Sequence, residues 1–328
     1  MISFGSVRSG TDVDYLLRAS AIEFGAEGYQ QHRRYLDWLY GANPTSRGLA
    51  DCLVARQGEA VVGCMHRMML PLAGPESAGL IGVLHNHFVT EPVRSGPGVL
   101  LLRRAIRQID AAFAPGVQAP LDEVYRRLNF VEVPGWWLMR VLDPVGGAIR
   151  VARTRLTGNR PLRVNVERLQ RRFGDLVITP QPDDATVDRL CEAMRDVARD
   201  RLAVDWTPAL VRWRYFHPQG PRHLLITPRD GSGIAVIAPG IRRGLATARL
   251  MELTDTGMTE RATAVMRAAG AALALCFTTA PGMAELLQRQ GWRVRGNRTF
   301  SFRTGGPVPN LTAATSDVGF ETFNTVFD

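Results

Sequence analysis

Tyr35-Leu-Asp-Trp-Leu-Tyr-Gly-Ala-Asn-Pro44 and Leu210-Val-Arg-Trp-Arg-Tyr-Phe-His-Pro218 are two versions of one pattern, Trp-x-Tyr followed closely by proline. Their tryptophans, Trp38 and Trp213, stand 175 residues apart. Each cluster precedes a strand-like run, Leu49 to Met69 in the first case and Arg222 to Ile237 in the second. A duplicated unit accounts for this spacing. Tyr125-Arg-Arg-Leu-Asn-Phe-Val and Leu287-Gln-Arg-Gln-Gly-Trp-Arg form a second pair, each ending a helix-like segment and entering a strand. Trp136-Trp-Leu-Met-Arg-Val and Thr299-Phe-Ser-Phe-Arg then read as closing strands.

The composition agrees with two compact units. The chain has 328 residues, 45% hydrophobic and 22% charged, enough apolar material for a core in each half. Its longest apolar stretch, Ala268 to Phe277, is far short of the roughly 20 residues that span a bilayer. The first residues do not read as a secretory signal, so a cytoplasmic location is expected. Cys52, Cys64, Cys191 and Cys276 are scattered, without zinc or redox spacing, and read as buried thiols. No H-E-x-x-H, carboxylate cluster or Gly-x-Ser-x-Gly elbow occurs, so no metal is expected.

Every one of the 40 basic residues is arginine, and the formal charge is +9. The excess concentrates between the halves. From Asp143 to Arg172, Arg150, Arg153, Arg155, Arg160, Arg163, Arg168, Arg171 and Arg172 face only Asp143 and Glu167, a local balance of +6. Such a stretch reads as a solvated basic connector. With no aromatics interleaved for base stacking, nucleic acid is a minor expectation, and phosphorylated small molecules fit the charge better.

Leu80 to Val89 reads as a strand, Arg94 to Val99 as a tight loop, and Leu100 to Phe113 as an amphipathic helix burying Leu101, Ala105, Ile109 and Ala112. Strand, glycine loop and helix in that order make a candidate anion cradle, because unpaired amides at a helix N-terminus point outward and the helix dipole favours negative charge. His85 and His87 lie two apart on the strand, which projects both from one face with Ile81, Val83 and Val89. An imidazole near its ordinary pKa of roughly 6.5 can take a proton from an attacking amine.

The run from Val89-Thr-Glu-Pro-Val-Arg94 through Gly96-Pro-Gly98 to Tyr125-Arg-Arg-Leu-Asn-Phe130 resembles the GNAT superfamily of N-acyltransferases. The Trp-x-Tyr clusters resemble tandem members of bacterial polysaccharide and nucleotide-sugar pathways. The resemblance implies an α/β fold with a mixed sheet in each of two GNAT-like domains, the second degenerate: residues 1–145 binding acyl-CoA, 146–172 a basic connector, and 173–328 forming the acceptor side. It also implies that amides of Arg94, Ser95, Gly96, Pro97, Gly98 and Val99 hold the coenzyme A pyrophosphate, and that the strand edge at Phe88 and Val89 pairs with pantetheine. Tyr125 then takes the place of the acid for the departing thiolate. Pro97 departs from the pattern, since it has no amide proton. Asn129 replaces the usual glycine, and tolerates the same left-handed backbone. In the second copy Leu287 replaces the tyrosine, and Thr254-Asp-Thr-Gly-Met-Thr-Glu has lost the cradle.

Trp206, Arg214 and His217 are candidates to line an acceptor pocket, the arginine pairing with a diphosphate. The expected reaction is direct transfer of an acyl group, acetyl above all, from an acyl-CoA co-substrate to a primary amine in a ternary complex. A small-molecule amine is the expected partner, with a nucleotide-linked amino sugar suggested by the resemblance. Two other readings stay open: an aminoacyl-tRNA-dependent transferase, and a non-catalytic binding module. The oligomeric state is open, a homodimer among the options.

Overall fold

The computed structural model describes residues 1–24, 32–74, 77–90, 96–107, 109–117, 121–133, 135–157, 162–198, 203–242, 244–278, 281–296 and 298–303. In chain order the first half contains β1 (Ile2–Ser6), α1 (Gly10–Phe24), α2 (Arg33–Leu36), β2 (Cys52–Gln57), β3 (Ala60–Gly74), β4 (Ser77–Val89), α3 (Pro97–Ile106), β5 (Ala111–Val117), α4 (Asp122–Arg127), β6 (Val131–Val133) and β7 (Trp136–Val141). Next come α5 (Pro144–Thr157) and α6 (Val166–Arg172). The second half contains β8 (Leu176–Thr179), α7 (Asp184–Ala198), β9 (Ala203–Val204), α8 (Pro208–Val211), β10 (Leu224–Pro228), β11 (Ala235–Arg242), β12 (Leu245–Leu253), α9 (Met258–Ala268), β13 (Leu273–Thr278), α10 (Pro281–Arg289), β14 (Arg293–Gly296) and β15 (Arg298–Arg303).

These strands form two mixed sheets of one design. The first runs β1-β2-β3-β4-β5-β15-β6 and the second β8-β10-β11-β12-β13-β7-β14. In each, the fourth and fifth strands are parallel. The sixth place in each sheet is filled from the other half: β7 lies between β13 and β14, and β15 between β5 and β6. β9 adds a further exchange, pairing Val204 with Leu72 of β3. The domain boundary expected at 145 therefore does not separate the sheets.

Both faces of each sheet are buried, and alternation along the strands deals side chains to two cores. In β2, Cys52 and Val54 enter a middle core and Leu53 and Ala55 an outer one. The middle core joins the halves, taking Trp38, Ile81 and Val83 from the first and Trp206, Trp213 and Val236 from the second. Outer cores lie beneath α3 and α4 on one side and beneath α5, α6, α9 and α10 on the other. The stretch 146–172, expected as a connector, is mostly helical. Leu169 of α6 and Gly147 of α5 pack on the second sheet, so only its outward surface is solvated.

The repeated clusters meet. Trp38 and Trp213 occupy equivalent π-helical turns, Asp37–Gly41 and Arg212–Phe216. Their rings stack at 5.2 Å, and each indole donates to the other's carbonyl: Trp38 Nε1 to Trp213 O at 2.9 Å, Trp213 Nε1 to Trp38 O at 2.7 Å. The stack is worth about 0.5–1.5 kcal/mol beyond the area it buries. The second repeat also matches in backbone detail: Phe130 N donates to Tyr125 O at 3.0 Å, as Trp292 N does to Leu287 O at 3.0 Å. Asn129 and Gly291 supply the left-handed residue just before, at φ 63 and 83°.

One assignment changes. The helix read over 100–113 ends at Ile106, and Ala111-Ala-Phe-Ala is the start of β5. Alanine-rich sequence favours a helix, but pairing with β4 and β15 on either side overrides that preference. Ile109 is buried in the outer core although outside α3, and Ala112 is a strand residue. Among the described residues no helix is long and apolar enough to cross a membrane.

Candidate active site

β4 and β5 form a short ladder, from Ile81 opposite Ala111 to Val83 opposite Phe113. Beyond it β4 continues to Val89 and β5 to Val117 without pairing to each other. The two strands part like the arms of a V, leaving backbone amides and carbonyls on facing edges, the kind of edge that an extended amide-bearing ligand can join as an added strand.

A bulge in β4 sits where the strands part. His85 opposes His66 and Phe88 opposes Cys64, so Asn86 and His87 together face Met65. Asn86 takes the left-handed conformation, φ 47°, and this shifts the strand's alternation by one. His85 points with Ile81, Val83 and Phe88 to the middle core, whereas His87 and Val89 point to the outer side, toward α3. The expectation that both histidines share a face is thereby corrected.

Their surroundings also differ from those of a proton acceptor. His85 is buried, stacked on His66 at 5.4 Å with Tyr35 Oη 3.2 Å from its Nδ1; Asn86 Nδ2 donates to the same Tyr35 hydroxyl at 3.4 Å. Tyr40 Oη lies 2.7 Å from His66 Nδ1. Burial first, then His66 and Arg214, push His85 well below the ordinary imidazole range, and burial brings His66 to about 3. His87 donates from Nε2 to Gly98 O at 3.1 Å, and burial lowers it to about 4. An imidazole so depressed resists protonation at neutral pH by about 4 kcal/mol. His87 is a wedge beneath α3, and His85 a core group; neither is placed as a general base.

That wedge sets the start of α3. Gly96 precedes the helix at φ 93°, a conformation glycine adopts without strain. Pro97 opens it and is buried, which suits a ring whose φ is already helical. Gly98 is needed for a different reason from the one expected: a Cβ there would lie 3.3 Å from His87 Nε2 and 3.5 Å from Val89 Cγ2. Gly98 and Val99 are in the first turn of α3, where amides lack an intrahelical partner, and the dipole of α3 adds to their attraction for an anion. Phe88 is buried in the middle core and Val89 in the outer one, so each offers the cleft its backbone. Arg94 and Ser95 lie outside the described residues.

Tyr125 on α4 belongs to the same outer core as Val89, Leu101 and Leu102. It is buried edge-on against Phe130 at 4.9 Å, and burial pushes its hydroxyl above the ordinary phenol range, so it keeps its proton.

The second copy keeps the shape and loses the cradle. β12 and β13 pair from Thr247 to Leu250 and then part, with a bulge at Met251. The helix start is occupied by the protein's own acid: Asp255 Oδ1 accepts from Gly257 N at 2.7 Å, and Met258 N donates to Asp255 O. Leu287, buried, stands in place of the tyrosine.

Trp206, Arg214 and His217 do not line one pocket. Trp206 is buried in the middle core, its ring 6.0 Å from Tyr215. Arg214 is buried over the other side of that neighbourhood, 5.5 Å from the Tyr215 ring and 3.7 Å from Met68 Sδ of β3. His217 is partly exposed and accepts from Gln219 N. The sequence reading passed over Tyr35, His66, Asn86 and Glu252. The last accepts a short hydrogen bond from Tyr215, and no motif in the sequence marks the bulge at Asn86.

No protein-family model and no curated protein matches the sequence. Among solved structures the chain is similar to Saccharomyces cerevisiae N-myristoyltransferase with bound myristoyl-CoA, at 12% identity and TM-score 0.61, covering 97% of this chain and 84% of that one. It is similar also to a GCN5-related N-acetyltransferase from Kribbella flavida (14% identity, TM-score 0.56, 92% and 72% covered). A putative acetyltransferase from Pyrococcus horikoshii matches at 11% identity and TM-score 0.57, with 97% and 92% covered. At such identities the likeness is one of fold. The chain shares the fold of these acyltransferase structures, and its two sheets repeat one strand order.

Proposed function

We propose that this protein is an acyl-CoA-dependent N-acyltransferase whose first half alone binds the co-substrate. The observation that carries the reading is the bulged β4 parting from parallel β5 at the N-terminus of α3. An extended pantetheine arm suits the open edge of β4 at Phe88 and Val89, and a pyrophosphate suits the amides of Gly98 and Val99. Pro97 contributes shape rather than a hydrogen bond.

Within this reading the acceptor's amine nitrogen attacks the thioester carbonyl. The N–C bond forms, the C–S bond breaks, the nitrogen releases its proton to solvent, and the sulfur takes one from Tyr125. Burial keeps the Tyr125 hydroxyl protonated and makes it a weak acid, so its proton passes to the sulfur only as the thiolate develops, and a proton from solvent then restores it. His87 acts by positioning α3. Acetyl is the acyl group proposed, and the acceptor a primary amine on a small molecule, with a nucleotide-linked amino sugar favoured by the arginine-rich surface. Such a ligand would meet the chain where the halves face each other, and Arg214 would act on it only through the packing of β3.

Thermal unfolding with added coenzyme A tests the donor site, since a ligand at 100 times its Kd stabilises by about 2.7 kcal/mol. Gly96→Asp should remove that stabilisation and Gly257→Asp should leave it. Thiol release over a panel of acyl-CoAs and amino-sugar nucleotides, with product mass, identifies both substrates. No stabilisation by coenzyme A, or equal loss in both variants, defeats the proposal.

A further inference from the structure

Asn86 holds its left-handed conformation within β4 by contacts to two neighbours. Its carbonyl accepts from Cys64 Sγ of β3 at 3.3 Å. Its side-chain Nδ2 donates to Tyr35 Oη at 3.4 Å, and the same oxygen lies 3.2 Å from His85 Nδ1.

A regular strand does not allow the second arrangement. Consecutive side chains point to opposite faces there, so one hydroxyl does not reach both. The left-handed turn at Asn86 brings the two to one side, where Tyr35 Oη bonds them together. The hydroxyl thus recognises the bulge rather than either residue alone. Hydrogen counting gives the direction: Asn86 donates to the oxygen, and the one phenolic hydrogen goes to His85 Nδ1, the lone-pair nitrogen of a neutral ring.

The register of β4 depends on this bulge. A ladder without it would set His87 opposite Cys64 and Phe88 opposite Gly63, in place of Phe88 opposite Cys64 and Val89 opposite Gly63. Such a slip reverses every side chain beyond it. His87 would leave Gly98 O for the middle core, and Phe88 would leave that core. Gly63 fits the bulged register closely, since a Cβ there would lie 2.9 Å from Phe88 O and 3.0 Å from Val89 Cγ2. Tyr35 itself is buried on α2, three residues before Trp38, whose ring stacks on Trp213. The bulge is therefore fastened to the place where the halves meet.

We propose that Tyr35 is a positioning residue: its hydroxyl staples His85 to Asn86, keeps the β4 bulge in register, and so sets the strand edge and the start of α3 that receive the acyl-CoA. This rests on the donor site proposed above.

Two variants test it. Tyr35→Phe keeps the ring and removes the staple. Tyr40→Phe removes the other buried tyrosine–histidine contact, Oη to His66 Nδ1 at 2.7 Å, which lies off the bulge and controls for lost stability alone. Amide hydrogen exchange of residues 84–90 and coenzyme A titration calorimetry are read in both. In Tyr35→Phe the amides of 86–89 should exchange about tenfold faster and the Kd for coenzyme A should rise about tenfold, the effect of one buried hydrogen bond. In Tyr40→Phe both should stay within about twofold. Asn86→Gly, which keeps the left-handed backbone and loses the amide, should match Tyr35→Phe, and combining the two should raise the Kd no further. Unchanged exchange at 86–89 in Tyr35→Phe, or equal acceleration in Tyr40→Phe, overturns the proposal. So does an unchanged Kd in a Tyr35→Phe protein that exchanges faster. Wild-type protein that does not bind coenzyme A defeats the donor site instead, and exchange alone then decides whether Tyr35 holds the bulge.

Discussion

Mild acid should unfold this protein through its histidines. His66, His85 and His223 are in the core and His87 is half-buried under α3. Burial brings His66 and His223 to about 3 and His87 to about 4, and pushes His85 well below its ordinary value. In the unfolded chain each titrates near 6.5. A group whose pKa is lowered by folding binds fewer protons in the native state, so its contribution is complete above about pH 6.5 and is lost as pH falls toward 4. At about pH 5.5 each unfolded imidazole gains about 1.4 kcal/mol from its proton, and four together about 5 kcal/mol. That equals the entire stability of many domains. Asp12 does not contribute in this window, since its Arg56 hydrogen bond, outweighing burial, keeps it below 3.8. The assay is urea unfolding followed by tryptophan fluorescence at about pH 7.5, 6.5 and 5.5 and constant ionic strength. His87→Gln, which retains a donor for Gly98 O, should reduce the loss by about 1.4 kcal/mol. A fall smaller than about 1.5 kcal/mol between the extremes would refute the reasoning, because at least three of the four would then titrate alike in both states.

Other outcomes follow from single contacts. Trp38→Phe or Trp213→Phe removes one indole donor from a buried carbonyl and should cost about 1–3 kcal/mol in urea unfolding; the double variant should depart from additivity by about 0.5–3 kcal/mol. Gly220→Ala would put a Cβ 2.7 Å from Trp38 Nε1 and should destabilise by about 1–3 kcal/mol, read as a lowered thermal midpoint. Gly96→Ala should cost about 1 kcal/mol for its left-handed backbone and weaken coenzyme A binding by titration calorimetry. Tyr125→Phe should keep the fold and coenzyme A binding but slow thiol release by about 10²-fold or more; unchanged turnover removes the acid from the reaction.

The duplication was legible because it is written in local motifs. Trp-x-Tyr and the helix-to-strand turn recur in sequence, and Asn129 takes the left-handed conformation that its side chain tolerates. What was not legible depends on partners distant in the chain. Trp136–Val141 and Thr299–Arg303 read as closing strands, but nothing in either says which sheet it completes. Ala111-Ala-Phe-Ala looks helical until neighbours on both sides make it a strand. The facing of His85 and His87 turned on one residue, Asn86, whose positive φ reverses the parity of all that follows in β4. A period-2 reading has no means of seeing an inserted residue.

The exchange of closing strands also has a consequence for synthesis. β5 pairs Ala111 with Arg303, residues that leave the ribosome roughly 10 to 40 seconds apart at about 5–20 residues per second. Throughout that interval the first sheet has an open edge at β5, and β7, already made, has no sheet to enter. The nascent first half therefore waits with adhesive backbone exposed, and a chaperone that shields strand edges would raise the yield of native protein more than one that binds only apolar side chains.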